Sequence, residues 1–178
     1  MKRVALVVGH KATSPGAINE ATGTSEFEFN LMLAESIADA LAGTDVECPI
    51  VLRRSYNELP GDINELNPDY VVSLHCNAFN TQATGVETLY YHNSTRGKAM
   101  AEILQRNVVN ALKLRDRGVK PKHSEDRGGY LLRYTDAPCI IAEPFFIDNN
   151  VDFGVAIRYQ LDLVDAYTSA ILEIAEGV

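Results

Sequence analysis

The chain has 178 residues, a formal charge of -8, 46% apolar residues and 22% charged ones. That length suits one well-cored domain and excludes two ordinary ones, and the apolar share excludes an intrinsically disordered chain. Acidic excess without a basic run argues against a nucleic-acid surface, and no segment is long and apolar enough to span a membrane.

Val4 to Val8 is a β-branched run of strand type that leads into Gly9-His10. Lys11 to Thr24 is a loop rich in Gly, Ser, Thr and Pro. A helix follows, with Phe27, Leu31, Ala34, Ile37, Ala38 and Leu41 on one face and Gly43 at its stop. A second strand is expected over Val46–Leu52, a turn-rich connection over Tyr56–Pro68, and a third strand from Tyr70 to Leu74 that ends on His75. Gly85–Tyr91 reads as a fourth strand. A second amphipathic helix starts near Ser94 or Thr95 and uses Met100, Ile103, Leu104, Val108, Ala111 and Leu112. Arg115–Gly129 reads as a long polar loop, and Tyr130–Arg133 and Cys139–Glu143 as the last strands. Ile157, Leu161, Val164, Thr168, Ile171 and Leu172 mark a C-terminal helix. This alternation predicts a single α/β domain on a mostly parallel, twisted sheet of about six strands, with helices on both faces. The three cysteines, Cys48, Cys76 and Cys139, are odd in number and form no CxxC pair, so neither a disulfide framework nor a zinc ribbon is indicated. Met1-Lys2-Arg3 runs straight into an apolar stretch too short for a signal peptide, which gives the expectation of synthesis in the cytoplasm.

Three strand ends carry chemistry. His10, His75 and Glu143 each follow or close a short apolar run, and functional groups in open α/β sheets gather at the carboxyl ends of strands. Neutral imidazole is the commonest zinc donor, and a catalytic zinc takes three protein ligands plus water. With two histidines in hand, the third ligand is sought among Glu20, Glu26 and Glu28. Ser25-Glu26-Phe27-Glu28 matches a capping box, which occupies Glu28 and leaves Glu26 free in the first turn. Glu26 is then either a ligand or an acid that merely suits the helix dipole, and spacing leaves these even. Glu143 precedes Pro144 and is held extended at the end of an apolar strand. As a fourth ligand it would close the metal's shell; as a general base it leaves room for water, and the second role is preferred. Asn77 and Arg133 are candidate substrate contacts: Asn77 by hydrogen bonding, set against a loop-ordering role, and Arg133 by pairing with a substrate carboxylate or with Glu143, set against a structural salt bridge. Cys76 should point away from the metal because side chains alternate along a strand. His92 and His123 read as exposed.

Seven segments occur in one order: Gly9-His10, Ser25 to Leu31, Ser73 to Ala78, Gly85 to Thr88, Asp116 to Lys120, Leu131 to Arg133 and Ile141 to Ile147. That order resembles the zinc-dependent N-acetylmuramoyl-L-alanine amidases of the Amidase_3 type over nearly the whole chain. The resemblance implies a Zn2+ held by His10, Glu26 and His75, with Glu143 as acid/base. It implies hydrolysis of the amide between the lactyl group of N-acetylmuramic acid and L-alanine, with peptidoglycan or a muropeptide as substrate and cell-wall lysis as the outcome. The expected domain is a single catalytic unit over 1–178 with no cell-wall-binding module, similar to phage or prophage lysins, or to a catalytic domain excised from a larger protein. Two departures stand out: Val7-Val8-Gly9-His10-Lys11 replaces the family's Asp-Pro-Gly-His-Gly, and the stretch between the second and third strands is short for a full helix. The rival readings are another zinc carboxypeptidase or deacylase on a related scaffold, and a non-catalytic wall-binding module.

Overall fold

Val4, Leu6 and Val8 belong to one hydrophobic cluster and Ala5 and Val7 to another, and all five are fully buried in the computed structural model, which describes residues 1–178. A strand buried on both faces needs cover on each side of its sheet. The chain supplies it in the order β1 (Lys2–Val8), α1 (Glu26–Leu41), β2 (Val46–Glu47), β3 (Ile50–Leu52), α2 (Leu59–Glu65), β4 (Tyr70–Leu74) and β5 (Val86–Tyr91). It continues with α3 (Thr95–Leu112), β6 (Asp116–Lys122), α4 (Gly129–Tyr134), β7 (Cys139–Glu143), α5 (Asn150–Arg158) and α6 (Gln160–Gly177).

The seven strands form one sheet ordered β2-β1-β4-β7-β5-β6, with β3 also on β1. Every pair is parallel except β5 with β7. Helices α1, α3 and α6 cover one face over a cluster of 33 buried residues, whereas α2 and α4 cover the other over only 11. The thin side is where the sheet leaves room for a cavity. No helix is long and apolar enough to cross a membrane.

The α/β class, the mostly parallel sheet and the helices on both faces agree with the sequence pattern. Several elements differ from it. Pro49 cannot donate to a ladder, and the expected second strand is split into β2 and β3 around Cys48-Pro49. The connection after β3 contains the two-turn α2, which carries Pro60 in its first turn, where no N–H is needed, and buries Leu59 and Ile63. Residues 116–122, expected as loop, form β6, an edge strand where Pro121 is tolerated. Tyr130–Arg133, expected as strand, is helical in α4; a short apolar run does not distinguish the two. The C-terminal helix breaks at Tyr159, leaving Ile157 46% and Leu161 80% exposed, and Leu163 takes the core position.

Candidate metal centre

β1, β4 and β7 lie side by side and parallel, with Val8 level with Leu74 and Leu74 level with Ala142. The residues just beyond that level are His10, His75 and Glu143, so the register itself brings them to one edge of the sheet. Glu26 arrives from the start of α1. Ser25 caps that helix through the Glu28 N–H, and Glu28 accepts the Ser25 N–H at 2.9 Å, completing the capping box. With Glu28 so engaged, Glu26 is the first-turn acid turned inward, 3% exposed.

Glu26 Oε2 lies 3.2 Å from His10 Nε2, and Glu26 Oε1 lies 3.0 Å from His75 Nδ1. One ligand atom from each of the three residues falls within 4.8 Å of the others. A tetrahedral zinc with bonds near 2.0–2.1 Å spaces its ligands by about 3.3 Å, and the two Glu26–imidazole separations match that spacing. The Cys76 N–H donates to Glu26 Oε1 at 3.0 Å and the Ala17 N–H to Oε2 at 3.3 Å, fixing the carboxylate. Burial opposes charge on Glu26, but the imidazoles of His10 and His75 outweigh it and hold the carboxyl well below its usual range. It is a pre-oriented anion between two imidazoles.

Two glycines make the approach possible. A Cβ on Gly9 would stand 2.6 Å from the His75 ring, and one on Gly16, whose φ is +81°, would stand 2.7 Å from both Glu26 Oε2 and His10 Cδ2. His10 itself has a φ of +67°, a left-handed conformation uncommon outside glycine, which aims its ring at Glu26.

Glu143 stands apart from the three donors while lining the same cavity of roughly 410 Å3. Burial pushes its carboxyl up to about 7, with Arg127 opposing the rise and Glu87 adding to it. Glu87 is its direct cross-strand partner and accepts from Asn77 Nδ2 at 2.8 Å and Arg117 Nε at 2.9 Å. The cavity continues over the thin face of the sheet between Val7, Leu59, Leu89, Leu131 and Ile141, with Arg53 and Arg127 also on its wall.

The remaining candidate residues separate by their surroundings. Asn77 is buried, donates its Nδ2 to Glu87 and accepts the Ala78 N–H on its Oδ1, which orders the loop after His75. Arg133 lies outside the cavity, with its guanidinium over the rings of Tyr91 and Tyr134, and the cation on Glu143 is Arg127 instead. An arginine before a glycine pair in a polar loop carries no sequence pattern that marks it as a site residue. Cys76 packs in the cluster under α1, its thiol 3.7 Å from Asn30 Nδ2 and pushed well up by burial. His92 is half-buried and its ring centroid lies 4.0 Å from that of the exposed His123, away from the donor cluster. All three cysteines are free.

A mostly parallel α/β sheet with two histidines at its strand ends, a glutamate from a helix start between them and a separate buried carboxyl in the same cavity has the layout of a metal-dependent hydrolase. The N-acetylmuramoyl-L-alanine amidase family model, Amidase_3, matches residues 4–173, and the chain belongs to that family as one of its enzymes. Among curated relatives, the uncharacterized protein YqiI of Bacillus subtilis is 28% identical over 96% of this chain and 83% of its own length. The amidase LytC of the same organism is 28% identical over 81% of this chain but only 29% of LytC. The crystal structure of an N-acetylmuramoyl-L-alanine amidase from Clostridium difficile 630 superposes with a TM-score of 0.90 at 25% identity, covering 99% of this chain and 97% of that one. The catalytic domain of CwlV from Bacillus (Paenibacillus) polymyxa shares the fold, with a TM-score of 0.84 at 23% identity, covering 97% of each chain.

Proposed function

We propose that this chain is a zinc-dependent amidase that cleaves the bond between the lactyl carbonyl of N-acetylmuramic acid and the L-alanine nitrogen in peptidoglycan. Residues 1–178 form the catalytic domain, the cell wall is its place of action, and lysis is the consequence. The observation that supports this most is the division of labour in the cavity. Three donors converge on one point, while a fourth buried carboxyl stays off that point with a pKa near neutrality. Two imidazoles and one carboxylate suit zinc in an open, catalytic coordination. The likeness to LytC and to the Clostridium difficile amidase supports the substrate.

His10, Glu26 and His75 hold the ion. When bound, zinc supplies a water of lowered pKa and a positive charge for the developing oxyanion. Glu143 accepts a proton from the attacking water and returns it to the departing amine of L-alanine, a double duty that suits a carboxyl titrating near 7. Glu87, the cross-strand partner of Glu143, is itself fixed by Asn77 and Arg117. The apolar wall of Leu59, Leu89, Leu131 and Ile141 limits water around the scissile bond.

Mass analysis of purified muropeptides after digestion tests the reading. The expected products are a glycan with a free lactyl carboxylate and a stem peptide with a free L-alanine amine. Cleavage inside the stem peptide, loss of an acyl group alone, or binding without turnover would each contradict it.

A further inference from the structure

We propose that Arg53 and Arg127 form a subsite for a free carboxylate of the stem peptide, so that the enzyme discriminates peptides bearing this charge from those in which it is amidated. The inference rests on the amidase reading and names the substrate class more finely.

Both arginines line the cavity that holds the metal donors. Arg53 follows β3, is half-buried, and lies with its guanidinium 5.8 Å from the centroid of the Tyr56 ring. It makes no ion pair and donates no hydrogen bond, although its neighbour Arg54 is paired with Asp62 at 2.5 Å and Glu58 at 3.7 Å. In a chain with 24 acidic and 16 basic residues, an unpaired, half-buried arginine at the cavity wall is a cation kept free of the chain's own acids.

Arg127 is poised differently. It contacts Glu143, yet its own side chain is 67% exposed while that of Glu143 is 3% exposed. The carboxyl is enclosed, whereas most of the arginine side chain faces solvent. The two loops are tied together, because the Tyr56 and Tyr130 rings are 5.5 Å apart and Tyr130 Oη donates to the Asn57 carbonyl at 3.0 Å. The arginines therefore belong to one wall, and each offers the planar donor fork that suits a carboxylate. A substrate carboxylate that draws Arg127 towards Arg53 also clears Glu143 for water, which links recognition to activation.

Two synthetic N-acetylmuramoyl peptides that differ only in the α-carboxyl of their second residue, free in one and amidated in the other, test this. The wild type should favour the free acid in kcat/KM on the order of tenfold to a hundredfold, the worth of a hydrogen bond to a charged group. In Arg53→Gln and in Arg127→Gln the ratio should collapse towards one, while Arg53→Lys should keep part of it. A merely structural role would lower both substrates together and leave the ratio intact. No preference in the wild type, or full preference in Arg53→Gln, overturns the subsite. Cleavage of neither peptide by the wild type overturns the amidase reading itself, and the subsite falls with it.

Discussion

Glu143→Gln should produce a protein that has lost turnover and gained stability, and the gain should depend on pH. Glu143 is buried, and that burial with Glu87 alongside raises its pKa from 4.5 to about 7 despite Arg127. A carboxyl with a raised folded pKa binds its proton more tightly in the folded state. Stability is therefore greatest where the group is protonated in both states, below about 4.5, and falls as pH rises to about 7. At about 1.4 kcal/mol per tenfold change in acidity, the ionised form costs the native state ~3 kcal/mol above neutrality. Glutamine mimics the protonated acid, since its oxygen accepts from Arg127 and its amide donates to Glu87. Urea unfolding of metal-free wild type and variant should show little difference in midpoint near pH 4. At pH 8 the variant should lead by up to ~3 kcal/mol, or roughly 10 °C in melting temperature for a domain of this size. A variant that is no more stable at pH 8, or a difference independent of pH, would refute the claim that this carboxyl is held ionised against its environment.

Gly16→Ala should weaken metal binding by tenfold or more in a chelator competition, because the new methyl enters the space of His10 and Glu26 and the backbone is left-handed there; unchanged affinity would mean the loop gives way. Ser25→Ala removes the cap that orients the first turn of α1, so it should cost about 1 kcal/mol in denaturant unfolding and lower zinc affinity through Glu26. Asp152→Ala should destabilise by about 3–5 kcal/mol, because the fully buried carboxylate accepts from Thr84 Oγ1, the Gly85 N–H and the Phe146 N–H and these would lose their acceptor.

The strands that carry His10, His75 and Glu143 were legible because each is a short β-branched run, and sheet register converts equal strand ends into proximity. Glu26 was legible only in part: the capping box accounts for Glu28 and leaves Glu26 without a local partner, but its ligand role stood even on spacing and came from the family resemblance. Edge strand β6 was hidden by its polarity, since an edge needs no apolar alternation, and α4 by its brevity. Arg127 escaped because its role depends on how the loop before α4 returns over the sheet. Arg133, the conspicuous arginine after an apolar run, turns to the rings of Tyr91 and Tyr134 instead. Gly9 and Gly16 are ordinary loop glycines until the rings they make room for are in place.

His10, Glu26 and His75 are proposed to hold one catalytic metal ion. The most direct measurement is a titration of chelated, metal-free protein with zinc, scored by release of L-alanine amino groups from a muropeptide. Activity should be absent at the start, rise linearly and level off at about one zinc per chain, and His75→Ala should stay flat throughout. Full activity before any zinc is added, or an unaltered titration in His75→Ala, would contradict the account.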